Sequence, residues 1–210
     1  MRSNKEEECR IDPQRVQQYF DAKAYAWSAG RQTDAALIRI VLKQLEIGSG
    51  SRVLDIACGT GVLFPYYREC GAHVTGIDIS AGMIAAARKK YQDDPAVTLV
   101  CADVCRMNFS REFDACVIFD SLPHFPDIPL LFQTAAGSLK AGGRLCVLFD
   151  HSRRWINGHH EGLEAIARAL LALRELEAML PPTLETETAE EDETHYLLCA
   201  RRKTADAVLQ

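Results

Sequence analysis

The chain has 210 residues, 48% of them hydrophobic and 25% charged, with a formal net charge of −5. That length suits one globular domain with room for a small lid. The acidic balance argues against a nucleic-acid or anionic-membrane surface, either of which needs a basic patch. No run approaches the roughly 20 apolar residues of a membrane span, and the charged opening "MRSNKEEECR" is unlike a signal peptide, so a cytoplasmic protein is expected.

The eight cysteines are scattered, with no CxxC pair. Cys101, Cys116, Cys146 and Cys199 fall in apolar runs that read as buried strands, where a free thiol behaves as a small hydrophobe. Reduced cysteines are the expectation.

In chain order, the first dozen residues read as a charged, frayed end. "PQRVQQYFDAKAYAW" has helical composition, with proline suited to a first turn and Val16, Tyr19 and Phe20 on one side. Gly30 and an N-cap at Thr33 introduce a second helix, "DAALIRIVLKQLEI", whose Ala36, Ile40, Leu42 and Leu45 give one buried face. An alternation follows. "RVLDIA" reads as a strand, "VLFPYYREC" as a helix, "HVTGIDI" as a strand, and "SAGMIAAARKKYQ" as a helix capped by Ser80. "VTLVCAD" and "FDACVIFD" are strands, "PLLFQTAAGSLK" a helix, "GGRLCVLFD" a strand and "GLEAIARALLALRELEAML" a long helix ended by Pro181 and Pro182. "TLETETA" and "HYLLCARR" close the chain as strands joined by a short acidic turn.

Apolar strands alternating with helices imply a parallel sheet covered on both faces, because parallel neighbours need crossover connections. The last two strands predict an antiparallel hairpin at one edge. Residues 1–32 read as an N-terminal helical cap or lid and 33–210 as the main α/β domain.

In such sheets ligands bind beyond the carboxyl ends of the strands, near the switch in strand order. Those ends here are "LDIACGTG", "TGIDIS", "VCADV" and "IFDSLPHF", with Asp78, Asp103 and Asp120 at three tips and Asp55 near the first. Gly59 and Gly61 permit positive φ and close approach of backbone to a ligand. Asp78, nineteen residues after Gly59, is placed to accept both hydroxyls of a ribose. A dinucleotide turn needs a third small residue at position 64, where Phe64 and then Pro65 stand, which disfavours NAD.

"VLDIACGTG", "VTGIDIS", "CADV" and "FDACVIFDSLPHF", in this order and spacing, resemble the class I S-adenosylmethionine-dependent methyltransferases over roughly Tyr19 to Asp150. Ala57 stands where that family has glycine. The resemblance implies a Rossmann-like doubly wound, mostly parallel seven-stranded sheet with an antiparallel edge hairpin and helices on both faces. It further implies S-adenosyl-L-methionine as cofactor. Ala57, Cys58, Gly59 and Gly61 would wrap the methionine part, braced by Asp55. Asp78 would hold the ribose, and Ile79 and Met83 would pack on the adenine. Asp103 and the Val104 amide would meet the adenine edge, and Asp120 and Ser121 would lie near the methionine end. Tyr25 and Trp27, in "YFDAKAYAW", would be lid contacts.

Methyl transfer from a sulfonium is mainly a matter of positioning, and a base is needed only where the nucleophile must lose a proton. "DSLPHF" lacks the [ND]PP[YF] of planar-nitrogen methyltransferases, so a small-molecule acceptor is expected rather than nucleic acid or membrane, with a monomer or homodimer. Similarity to quinone-methylating members is visible in the N-terminal and glycine motifs, without fixing the acceptor. His124 and His151, each after a strand end, are the candidates for proton handling. The stretch "DHSRRWINGHH" reads as a connection over the acceptor side, with Asn157 and His160 following His151 and with Arg153 or Arg154 as an anionic grip. A metal site there needs three converging ligands, and adjacent His159 and His160 rarely both point inward, so none is expected. The rival readings are a non-catalytic nucleoside-binding protein and, more remotely, an NAD-dependent oxidoreductase.

Overall fold

The structure is a computed structural model that describes residues 11–28 and 32–204. Cys9, the charged opening and Gly30 lie outside the described residues.

Helix α1, Pro13–Ser28, starts where the Asp12 side chain accepts from the Gln14 amide at 2.9 Å and Pro13 supplies a fixed φ. Helix α2, Ala35–Gln44, is capped by Asp34, whose side chain accepts from the Ala36 and Leu37 amides. The cap is thus one residue later than Thr33, whose hydroxyl instead meets that of Tyr66 at 2.8 Å. The buried face of α2 is Ile38, Val41 and Leu42, continued by Leu45, while Ile40 is 57% exposed and Ala36 is exposed too. The expected face was rotated because apolar residues run almost continuously through this helix, and spacing alone does not choose among them.

The strands are β1 Arg52–Ile56, β2 His73–Asp78, β3 Val97–Cys101, β4 Phe113–Phe119, β5 Leu139–Phe149, β6 Leu184–Glu191 and β7 Tyr196–Arg202. They form one seven-stranded sheet in the order β3-β2-β1-β4-β5-β7-β6. The pairs from β3 to β5 are parallel, and β7 pairs antiparallel with both β5 and β6. The hairpin therefore joins through its second strand, leaving polar β6 at the edge, where charged residues discourage further pairing.

Alternate residues of each central strand feed two cores, as pleating requires. Leu54, Ile56, Cys116 and Ile118 join one; Val53, Ala115, Val117 and Phe119 join the other. Helices α3 (Phe64–Glu69) and α4 (Ala81–Tyr91) contribute Phe64, Tyr67 and Ile84 to the second core, with α2 beside them. Helices α5 (Ile128–Ser138) and α7 (Leu173–Glu177) cover the first. Ser80 caps α4, accepting from the Met83 amide at 3.0 Å.

Three expectations are corrected. "DHSRRWINGHH" contains a helix, α6 Arg153–His159, capped by Ser152. The long helix expected from residue 162 is instead a strap, residues 160–172, with two isolated turns, where the Leu163 amide meets the His160 carbonyl and the Ala167 amide meets the Leu163 carbonyl, before the short α7. Tertiary bonds replace the helical ones. The Leu170 amide donates to Asn157 Oδ1, the Arg168 amide donates to the Pro123 carbonyl, and the Arg168 guanidinium reaches the Pro126 carbonyl at 2.7 Å. Cys101 is exposed because β3 is an edge strand, whereas Cys116, Cys146 and Cys199 are buried as expected. The seven described cysteines are all free thiols.

Candidate active site

Strand order reverses between β1 and β4, and a cavity of about 330 Å³ opens there, at the carboxyl ends of the parallel strands. Five segments frame it: the turn after β1, the tip of β2, the turn after β3, the loop after β4 and one face of α1.

The turn after β1 holds three consecutive odd positions at positive φ, with Ala57 at 57°, Gly59 at 55° and Gly61 at 80°. Ala57, Cys58, Gly59, Thr60 and Val62 line the cavity. A Cβ on Gly59 would meet nothing within 4 Å, so the cavity reaches the backbone at this point. Gly61 serves differently and does not line the cavity. A Cβ there would stand 2.8 Å from the rings of both Phe64 and Tyr91. The same Phe64 ring fills the space above Gly76 in β2, where a Cβ would come within 2.6 Å. An aromatic ring thus occupies the helix–sheet gap that a third turn glycine closes in dinucleotide folds.

Asp78 ties these parts together. Its Oδ2 accepts from the Gly59 amide and its Oδ1 from the Ser80 amide, each at 2.8 Å. Each oxygen keeps a further lone pair for a ligand hydroxyl. Burial pushes the Asp78 carboxyl upward, and the two amides oppose that shift. Asp55 lies behind the turn, buried and outside the cavity lining. Burial pushes its carboxyl up to about 8, against the relief given by the Tyr67 hydroxyl, with the charge of Asp78 adding to the rise.

Ile79 and Met83 line the next wall, followed by Ala102, Asp103 and Val104. Asp103 caps a 3-10 turn, accepting from the Cys105 amide at 3.0 Å, and pairs with Arg106 at 3.3 Å. After β4, Asp120 adopts φ 49° and lines the cavity with Ser121, whose buried hydroxyl has no hydrogen-bond partner among the described residues.

Helix α1 closes the opposite side with Val16, Phe20 and Trp27. It is anchored by Asp21, whose Oδ1 accepts from the Ser80 hydroxyl at 2.6 Å and the Gly82 amide at 2.8 Å. Gly82 allows this approach, since a Cβ there would lie 3.2 Å from both Asp21 backbone and Ala24. Tyr25 is 91% exposed, on the solvent side of α1, and does not line the cavity; this corrects its expected lid role.

The two candidate histidines separate. His124 lines the cavity, with Nδ1 at 2.9 Å from the Ile166 carbonyl and its ring edge-on to Phe20 at 4.9 Å. Burial lowers it to about 4. His151 instead lies edge-on to Trp155, which stacks on His159, around a surface recess with Arg154 and Glu193. It does not line the cavity and is not placed to act there. The neighbour of His124 is His160, with ring centroids 5.2 Å apart. Arg153 is engaged by Glu191 at 2.8 Å. Among the described residues no three His, Cys, Asp or Glu side chains converge as a metal site.

The apolar wall of Val16, Phe20, Phe125 and Leu130 was missed as a site feature. The i, i+4 spacing of Val16 and Phe20 marked a buried face but could not say that it faces a cavity rather than a core.

Residues 54–147 match the family described as a methyltransferase domain. The match runs from β1 into β5, so the parallel part of the sheet is the stretch similar to methyltransferase domains. It is 33% identical over 114 residues to a ubiquinone biosynthesis O-methyltransferase of Bradyrhizobium sp. (strain ORS 278), covering 54% of this chain and 45% of that protein. It is 35% identical over 124 residues to a demethylmenaquinone methyltransferase of Tropheryma whipplei (strain Twist), covering 59% and 52%. The chain thus spans about half the length of these curated relatives. A phosphoethanolamine N-methyltransferase of Haemonchus contortus, solved with S-adenosyl-L-methionine, shares the fold at TM-score 0.70 and 19% identity, over 89% of this chain and 58% of that one. No helix among the described residues is long and apolar enough to cross a membrane.

Proposed function

We propose that the chain binds S-adenosylmethionine in this cavity and transfers its methyl group to a small, largely apolar molecule. The observation that carries the reading is Asp78, a buried carboxylate fixed by the Gly59 and Ser80 amides with lone pairs left over, at the tip of β2. The residues fit the cofactor on two further counts: the Ser121 hydroxyl is buried without a partner among the described residues, and the backbone is bare at Gly59.

In this reading Asp78 holds the ribose, while Ile79 and Met83 flank the adenine and Asp103 with the Val104 amide meets its edge. The Ala57–Gly61 turn wraps the amino-acid end, beside Asp120 and Ser121. Residues 1–32 act as a lid on the domain formed by 33–210. Bound S-adenosylmethionine supplies a methyl on positively charged sulfur; as the acceptor bonds to that carbon, the carbon–sulfur bond breaks, its electron pair stays on sulfur, and the cavity loses one positive charge. The relatives named for quinone pathways support a ring-bearing acceptor.

Calorimetry with S-adenosylhomocysteine tests this. The wild type binds it and does not bind NADH. Asp78→Ala weakens binding at least 100-fold, because charge-assisted bonds to both hydroxyls are lost. Asp78→Asn, checked for native circular dichroism, controls for folding. Binding within twofold of wild type in a folded Asp78 variant overturns the assignment.

A further inference from the structure

We propose that His124 is the catalytic proton acceptor, through Nε2, for an acceptor molecule that carries a phenol-type hydroxyl on an apolar ring. This rests on the methyl-transfer reading above.

Three observations converge. First, the ring orientation is fixed. The Ile166 carbonyl can only accept, so His124 Nδ1 must carry the hydrogen, at 2.9 Å. In neutral imidazole the other nitrogen is then a bare acceptor. Among the described residues no protein group bonds to Nε2, and His124 lines the cavity.

Second, the surroundings choose an uncharged acceptor. His124 sits against Phe20 within a wall completed by Val16, Trp27, Phe125 and Leu130. Arg106 is the single Lys or Arg among the described lining residues, and it pairs with Asp103. Asp78, Asp103, Asp120 and Asp127 line the same cavity. A pre-formed phenolate would enter past four carboxylates with no unpaired protein cation among the described lining residues to meet it, which favours a hydroxyl that arrives protonated and sheds its proton during transfer.

Third, other bases near this wall are otherwise engaged. Asp127 caps α5 through the Leu130 amide at 2.9 Å, and the Cys105 thiol is pushed up to about 12 by burial. Burial holds the His124 imidazole neutral at pH 7 and disfavours its charged form, while the hydrogen bond to the Ile166 carbonyl favours the imidazolium that proton uptake creates. The bookkeeping closes: the hydroxyl oxygen takes the methyl carbon, its proton passes to Nε2, and the imidazolium restores the positive charge lost from sulfur. Net cavity charge is the same before and after.

The strap positions this base. Its Ile166 carbonyl fixes the tautomer, and Ile166 packs with Ile11 and Val16 beneath α1. His160 lies behind His124 without being placed to accept from the cavity.

The test compares 4-butylphenol with 4-butylanisole, in which a methyl group replaces the hydroxyl hydrogen, with and without saturating S-adenosylhomocysteine. Wild type binds the phenol roughly fivefold more tightly, the value of one neutral hydrogen bond. His124→Phe keeps anisole binding and loses the preference. In ¹⁵N spectra of the wild type at pH 7, His124 shows a protonated Nδ1 and a bare Nε2, and the Nε2 resonance moves with the phenol but not with the anisole. A protonated Nε2, equal response to both probes, binding of neither, or loss of the preference in Asp120→Asn but not in His124→Phe overturns the proposal. Failure of S-adenosylhomocysteine to bind would overturn the cofactor reading instead, leaving the probe comparison intact.

Discussion

The two ends of the cavity are built by opposite means. The glycine-turn end is made of backbone held by carboxylates, with Asp78 bridging Gly59 and Ser80 inside one continuous stretch of chain. The aromatic end is made of side chains from segments far apart in sequence: Val16, Phe20 and Trp27 from α1, and His124, Phe125 and Leu130 from the region after β4. The first end is specified locally and carries electrostatic stress. The second is specified only by tertiary assembly and is held by a few polar ties. The contrast teaches that the parts of a site a motif can describe are those whose geometry one turn encodes.

The largest test of this contrast lies in Asp55. The unfolded carboxyl ionises near 3.8, whereas the native one keeps its proton up to about 8. Between those values the native state binds more protons, so its stability falls as pH rises from 4 to 8. Asp55→Asn removes that penalty. Chemical denaturation should find the variant more stable at pH 8 by several kcal/mol, about 6 at most, with the gap closing near pH 4. A gap independent of pH would show that the turn carries no such stress.

At the aromatic end, Asp21→Ala cuts both polar ties of α1 to the start of α4. The loss should be about 1–3 kcal/mol, concentrated in α1. Hydrogen exchange should speed in residues 13–28 while β1 and β4 keep their protection. Equal loosening of sheet and helix would make α1 part of the core rather than a docked cover.

Ala57 gives a smaller effect of opposite sign. A left-handed conformation costs a non-glycine residue roughly 1–2 kcal/mol, partly offset by the greater freedom of glycine when unfolded. Ala57→Gly should stabilise by about 0.5–1 kcal/mol in the same assay. Destabilisation would mean the methyl group makes a contact that matters more than the strain.

His151→Ala should do least. With the side chain at the surface recess, affinity for S-adenosylhomocysteine and for 4-butylphenol should stay within about twofold, and stability within about 0.5 kcal/mol. A tenfold loss of either affinity would bring His151 back to the cavity.

The sheet was legible because five strands are apolar on both faces, and the sequence order of strands, glycines and tip carboxylates is itself the geometry of the first end. Asp78, Asp103 and Ser121 line the cavity, each at or just after a strand end. The strap was not legible, since "GLEAIARALLALR" has good helical composition and only Asn157, Pro123 and His124, distant in sequence, draw its backbone into another path. The pairing of His124 with His160 rather than His151 depends on α6, whose Ser152 cap is a weak signal inside a stretch rich in polar residues. Gly76 was overlooked too, though a glycine within an apolar strand marks close approach of another group.

The anchoring of α1 also bears on how the chain assembles. This helix is synthesised before the distant residues that hold it: Ser80 and Gly82 emerge about 60 residues after Asp21, and Ile166 about 150 residues after Val16. Contacts of such sequence separation form late. On a translating ribosome α1 therefore waits with Val16 and Phe20 uncovered until the sheet exists, making an early-made helix a late one to dock and its apolar face a natural point of chaperone contact.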